Sequence, residues 1–309
     1  MLGENFSVEY VKTILIVASI NVIAVIGMTI FTGFTGLFSL GHAAFMAIGA
    51  YGAGILTYFY HVPFLLAILF GSVLAGLVSL IIGYPLIKGK LGSDYLAIAL
   101  LGFGEAVRVI LENLKITQGA RGLPGIRICS TLPILIGAII ISILVARNLI
   151  NSKYGRRFIA IREDSVAAEM LGVPLFKTKY FSFFISALYC GLSGGLFAHY
   201  FGFIQPAMFT MEQSTQILAS VVCGGVGSIT GPIIATYIFV AIPEVFRFAK
   251  LWRLVFYGGA LVLTMIFRSS GLMGYQEITF YRFFNKYNRF NNKIRTKLLK
   301  CLSNKGKHL

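Results

Sequence analysis

Long apolar runs with almost no charge inside them recur from one end of this 309-residue chain to the other. They lie near 11–32, 42–60, 63–87, 94–112, 131–150, 177–200, 213–224, 230–248 and 253–268. A helix needs about 20 mostly apolar residues to cross a hydrocarbon core of roughly 30 Å. Lipid cannot hydrogen-bond a peptide group, so a spanning segment must satisfy its backbone internally, as a helix does. The sequence therefore predicts an all-α, polytopic integral membrane bundle of about eight to ten transmembrane helices. Composition agrees: 57% of residues are hydrophobic and 12% charged, against about 25% charged in a soluble globular domain. Residues 1–270 read as the membrane domain, with a polar loop at about 151–176, and 271–309 as a basic tail.

A net charge of +16 would suit nucleic acid, but its distribution argues against that partner. The cations sit in short loops and in the tail, the pattern of the positive-inside rule, with anionic lipid heads as an added attraction. One group is Lys153, Arg156, Arg157 and Arg162, followed by Lys177 and Lys179; another runs from Arg282 to Lys307. Both are expected in the cytoplasm, together with Lys88 and Lys90, which puts the N-terminus outside. The stretch 113–130 then falls outside despite Lys115, Arg121 and Arg127, against a rule that is statistical. The tail reads equally as an amphipathic lipid-surface helix or a solvated extension. The first ten residues are acidic and no small-residue cleavage site follows the first apolar run, so that run is expected to be a retained helix rather than a signal peptide.

Cys129, Cys190, Cys223 and Cys301 form no C-x-x-C pair, and His42, His61, His199 and His308 are scattered. Neither a disulfide framework, nor a metal site, nor a catalytic cluster is indicated. A membrane enzyme is disfavoured on that ground.

Glycines break two apolar segments, one over 32–42 and one over 223–232. Backbone freed from a helix at membrane depth must be buried in protein or line a wet cavity, and paired interruptions point to a translocation path. A tight turn at the membrane surface is the other reading of each. Ala43, Ala47, Ala50 and Gly54, and later Gly191, Gly195 and Ala198, provide small residues at helical spacing that let backbones approach closely. Glu105 and Arg108 stand three apart in an apolar run, where they pair on one helix face. They mark either a route or gate within the membrane or a helix end with snorkelling side chains. His42 opens a helix, where it serves packing or hydrogen-bonds a cargo or a carbonyl.

The 151–176 loop has its own grammar. Asp164 is an N-cap, Gly172 a C-terminal stop with Pro174 just beyond, and Val166, Ala167, Met170 and Leu171 form an apolar side between them. A short amphipathic helix with that face suits a groove in a partner. No G-x-x-x-x-G-K-[ST] phosphate cradle occurs, so nucleotide would have to be bound by another chain.

Five segments together resemble the permeases of branched-chain amino acid ATP-binding cassette (ABC) importers, the LivM/LivH type, and most of all the LivM branch. They are Gly36-Leu37-Phe38-Ser39-Leu40-Gly41-His42-Ala43-Ala44-Phe45 with Ile48-Gly49-Ala50-Tyr51, Tyr95 through Phe103-Gly104-Glu105 to Arg108, and Thr117 to Leu123. Gly155-Arg156 through Ala160-Ile161-Arg162-Glu163-Asp164 and Ala167-Ala168 to Gly172, and Gly224-Gly225-Val226-Gly227-Ser228 with Gly231-Pro232, complete the set in the family's order. Gln118 departs from a glycine, Arg121 from Asn or Asp, and Val166 from a Glu common in the broader coupling motif.

The resemblance implies an ABC importer permease fold in the cell membrane with a cytoplasmic C-terminus. It implies leucine, isoleucine or valine as cargo, with urea or a short-chain amide as the alternative, since urea permeases share the pattern. A stand-alone secondary carrier or channel is the rival outside the ABC class. Expected partners are two ABC ATPase subunits, a second homologous permease, an extracytoplasmic binding protein and membrane lipid. ATP would be bound by the partners, leaving this chain without a cofactor. The substrate pathway is expected to use Gly36, Ser39, Gly41, His42, Glu105, Gly224, Gly225 and Gly227. Coupling to the ATPase is expected to use Gly155, Arg156, Arg162, Glu163, Asp164, Ala167, Ala168, Met170, Leu171 and Gly172.

Overall fold

A computed structural model describes residues 2–89, 92–245 and 258–259. The expected span at 253–268, apart from 258–259, and the tail 271–309 lie outside the described residues. Within them the chain is helical almost throughout. Helix α1 (Leu2–Met28) passes directly into a π-helical segment, Thr29–Phe34. There follow α2 (His42–Tyr60), α3 (Phe64–Lys88), α4 (Ser93–Asn113) and α5 (Leu132–Asn151). Two short helices, α6 (Lys153–Glu163) and α7 (Ser165–Met170), lead to α8 (Leu175–Phe201), α9 (Met211–Gly224) and α10 (Thr230–Val245). Two-residue strands β1 (Leu123–Pro124) and β2 (Phe203–Ile204) pair antiparallel, Leu123 opposite Ile204.

The apolar runs become helices with boundaries set by local chemistry. The left-handed backbone of His61 ends α2, and Pro63 caps α3. Pro133 sits in the first turn of α5, where its missing N–H costs nothing. Gly202, at φ +66°, stops α8. Glu9–Phe34, α2, α3, α5 and α8 are each long and apolar enough to cross a membrane. With α4, which carries the ionic pair, and the shorter α9 and α10, they make a polytopic membrane bundle.

Helix α8 runs through the centre, packed on α1, α2 and α3. Its contacts with α2 and α3 bring backbones together. A Cβ on Gly49 of α2 would collide with the Gly191 carbonyl, one on Gly194 with the Met46 carbonyl, and one on Gly191 would come within 2.9 Å of the Ser72 Cα of α3. In lipid no hydrophobic force drives helices together, so such close approach supplies the dispersion contacts that do. Large apolar side chains turn outward instead, among them Leu65, Leu69 and Ile81 of α3 and Ile140, Ile141 and Leu144 of α5.

The bundle has two distinct ends. Helices α1 and α8 are antiparallel: the Ser193 hydroxyl donates to the Ile20 carbonyl at 2.7 Å, and Gly27 abuts Tyr189. One end gathers β1, β2 and the 113–130 stretch, where the Ile126 amide donates to the Gly202 carbonyl at 3.0 Å. The other gathers α6, α7, the last turn of α3 and the break that follows α1. The first is the β end and the second the Arg162 end.

Candidate functional site

The first break is a buried, hydrogen-bonded structure. Threonine hydroxyls bond carbonyls in the π segment and on either side of it. Thr29 donates to the Val25 carbonyl at 2.7 Å, Thr32 to Leu37 at 2.9 Å, and Thr35 to Ile30 at 3.0 Å. Gly36 turns the chain at φ +76°. A Cβ there would come within 2.9 Å of the Arg162 Cγ, so the arginine stem lies flat against the glycine. The Arg162 Nη1 donates to the Gly33 carbonyl at 3.0 Å, and its Nε and Nη2 donate to Glu163 at 3.2 and 2.7 Å. Arg162 thus ties the end of α6 to the end of the π segment.

His42 begins α2 and is fully buried. Its Nδ1 lies 2.6 Å from the Ser39 Oγ and its Nε2 2.6 Å from the Ser186 Oγ of α8. Phe31, Phe45 and Phe183 surround the ring at centroid distances of 5.8, 6.1 and 6.5 Å. Ser39 also accepts the Gly41 amide at 3.3 Å, and the Ala43 amide donates to the Ser214 Oγ of α9 at 2.9 Å. Gly41 lets the Leu100 carbonyl of α4 come close. Helices α4, α8 and α9, from distant parts of the sequence, therefore meet at this break, where the imidazole uses both nitrogens to join Ser39 to α8.

Glu105 lies on the other wall of a narrow crevice formed by Leu40, Ala43, Gly104, Thr210 and Ser214. Its carboxylate accepts from Arg108 at 2.7 Å, and Arg108 also meets Glu112 at 3.0 Å. The pairing expected of Glu105 and Arg108 is present, with Glu112 as a third member. The second break is the tight turn between α9 and α10. Gly225 and Gly227 both take φ +122°, and Gly224 and Gly231 allow the two helices to touch. One turn earlier, Val221 packs against Gly33, so α9 lies along the π segment. Gly36, Ser39, Gly41, His42 and Glu105 thus cluster along the first break and its crevice, while Gly224, Gly225 and Gly227 form their own turn.

The 151–176 loop is two helices rather than the one expected. Ser152 caps α6 by accepting the Tyr154 amide at 3.1 Å, and the buried Phe158 and Ile161 anchor it. The extended backbone of Asp164 divides α6 from α7. Its carboxylate accepts the Val166 and Ala167 amides at 2.8 and 3.1 Å. Gly172, at φ +79°, ends α7, with the Val173 amide reaching back to the Ala168 carbonyl at 3.0 Å. Val166, Met170 and Leu171 are 64%, 86% and 83% exposed, with Ala167 also at the surface. Ala168 faces inward at 2%. Gly155 permits contact with the Ile150 carbonyl at the α5–α6 turn, and Arg156 is exposed, its Nη1 3.5 Å from the Asn151 carbonyl.

Sequence reasoning missed Ser186 and Ser214, since a lone serine in an apolar helix carries no motif. It also missed the threonines of the π segment, although their i, i+3, i+6 recurrence before Gly36 was a signal.

Residues 10–265 match the family model described as branched-chain amino acid transport system / permease component. The chain belongs to that family. The permease is 32% identical over 289 residues to the high-affinity branched-chain amino acid transport system permease protein LivM of Escherichia coli K12, covering 82% of this chain and 68% of that protein. It is 28% identical over 258 residues to the probable branched-chain amino acid transport permease protein LivH of Methanocaldococcus jannaschii, covering 77% and 79%. It is also 28% identical over 183 residues to the autoinducer 2 import system permease protein LsrC of Yersinia enterocolitica, covering 55% and 51%. No solved structure matches the permease.

Proposed function

We propose that this permease is the membrane-spanning subunit of an ATP-driven ABC importer carrying leucine, isoleucine or valine across the cytoplasmic membrane. It works with a second permease subunit, two ATPase subunits and an extracytoplasmic binding protein, and its own part is conformational rather than chemical. The observation that carries this reading is the junction at Arg162. An exposed apolar knob, Val166, Met170 and Leu171, is joined through α6 and Arg162 to the carbonyl of Gly33, at the break after α1. A partner that grips α7 can thereby pull on that break. Gly155, Arg156, Glu163, Asp164, Ala167, Ala168 and Gly172 shape the two short helices that deliver the pull. Gly36, Ser39, Gly41, His42 and Glu105 lie where the movement arrives, with Gly224, Gly225 and Gly227 at the turn of α9. The Arg162 end then faces the cytoplasm, and the chain's C-terminus lies on the same side.

Reconstitution of the complex with and without its ATPase subunits, with labelled leucine and urea assayed side by side, tests this. Leucine uptake is expected to require ATP and both kinds of subunit; uptake by the permease alone would sink the importer reading, and urea uptake would move the cargo. Arg162→Ala removes a charge-assisted hydrogen bond of about 1.5–3 kcal/mol, so transport should fall about tenfold or more while ATP hydrolysis continues. Unchanged transport per ATP would remove Arg162 from the coupling path.

A further inference from the structure

A cavity of about 800 Å³ opens at the Arg162 end between the last turn of α3, the start of α4, the end of α6, α7 and the first turns of α8, with Thr35, Gly36 and Leu37 of the first break also lining it. Its charge is one-sided. Lys88, Arg162, Lys177 and Lys179 line it, and Glu169 is its carboxylate. Arg162 is committed to Gly33 and Glu163, and Lys88 donates to the Tyr84 hydroxyl at 2.8 Å. The Lys177 and Lys179 ammonium groups make no hydrogen bond or ion pair among the described residues; at Lys179 it is the backbone carbonyl that is engaged, accepting from the Ser182 hydroxyl at 2.8 Å. The inner wall is apolar, built from Leu86, Ile87, Leu96, Leu175 and Phe176.

The surroundings place this cavity at the edge of the bilayer. Tyr84 and Tyr180 flank Phe176 at ring-centroid distances of 5.8 and 5.4 Å, and the Lys88 ammonium sits 4.9 Å over Tyr84. Aromatic rings with lysines beside them are the anchors of a membrane–water interface. Leading away from the mouth, Leu77, Ile81 and Tyr84 lie on one face of α3 and are 52%, 71% and 48% exposed. An apolar strip on an outward face of a spanning helix meets acyl chains. It ends at Lys88, at the cavity.

We propose that the cavity is a binding site for an anionic phospholipid. The phosphate is held by Lys177 and Lys179, and an acyl chain runs along the Leu77–Ile81–Tyr84 strip. Basic pockets between transmembrane helices bind lipid phosphates in this way, and the volume lies within the range of small-molecule sites, about 300–1,000 Å³. Because Ser165 and Glu169 of α7 form part of the same wall, an occupied site would also brace that helix.

Native mass spectrometry of the full chain in detergent tests the assignment. Phosphatidylglycerol and phosphatidylcholine with identical acyl chains are titrated separately, with inorganic phosphate and glycerol phosphate as headgroup-only arms. Phosphatidylglycerol adducts are expected to exceed phosphatidylcholine adducts by about tenfold. The K177Q/K179Q double variant should lose that excess, and K177R/K179R should keep it with an unchanged melting temperature. The basic residues beyond 269 are present in every variant, so only the change at 177 and 179 counts. Equal binding of the two lipids, or an excess that survives K177Q/K179Q, overturns the proposal. So does full displacement of the lipid by equimolar inorganic phosphate or glycerol phosphate, which would make the cavity a free-anion site.

Discussion

His42 shows how a single side chain can hold a broken helix in place. Its two nitrogens reach Ser39, three residues back, and Ser186, 144 residues on, inside a box of phenylalanine rings. Removing the imidazole by His42→Ala would leave the buried Ser186 hydroxyl unsatisfied, at a cost of about 1–3 kcal/mol, and Ser39 with only the Gly41 amide. The melting temperature in detergent is expected to fall clearly, and His42→Gln, which keeps a donor and an acceptor, should recover most of the loss. If alanine melts like the parent, the ring is no lock and its polar contacts contribute nothing to holding the helices. Some of this residue-scale detail was legible beforehand. Asp164 and Gly172 fulfil the capping roles their residue types suggest, because a cap depends only on its nearest neighbours in sequence. Ser186 was not legible, because its role is defined by a partner that only the folded chain brings near.

At the scale of elements, periodicity and length located the helices well, since lipid demands uninterrupted apolar stretches. Helix α2 begins and ends where the apolar run does, at His42 and Tyr60. What length could not show is the π-helical run from Thr29 to Phe34, which depends on three hydroxyls adopting particular carbonyls. Nor could it reveal α6, because the charges of 153–163 made that stretch look like a loop, while the buried Phe158 and Ile161 hold it helical. The packing of α8 gives a sharp contrast among glycines that look alike in sequence. Gly194→Ala drives a methyl group into the Met46 carbonyl, and overpacking of that kind costs about 1–3 kcal/mol or more. Gly102→Ala and Gly137→Ala meet nothing within 4 Å, so relief of mid-helix glycine entropy should stabilise each by about 0.5–1 kcal/mol. Yield of monodisperse protein and melting temperature measure both. A tolerated Gly194→Ala would mean that α2 and α8 lie farther apart than described.

For the molecule as a whole, charge and architecture give independent statements about direction. The fold collects Lys88, Lys153, Arg156, Arg157, Arg162, Lys177 and Lys179 at one end, and α1 begins at the other, which holds Lys12, Lys115, Arg121 and Arg127. The larger group shares its end with the exposed α7, so the positive-inside rule and a cytosolic partner for α7 call for the same orientation. Within the smaller group, Arg121 and Arg127 flank β1 in sequence, at the β1–β2 pairing, a feature of local structure that a charge count cannot weigh. Cysteine accessibility tests the orientation directly. Cys190 and Cys223 are buried and Cys129 is half-buried, so single cysteines belong on a Cys129→Ser, Cys301→Ser background. Met170→Cys and Ile128→Cys probe positions 86% and 68% exposed at opposite ends. A membrane-impermeant maleimide is expected to label Met170→Cys only in inside-out vesicles and Ile128→Cys only in right-side-out ones. The reverse pattern would point α7 away from any cytosolic ATPase and remove the physical basis for ATP-driven coupling through Arg162, whereas labelling of both from one face would mean that the two ends of the bundle do not lie on opposite sides of the membrane.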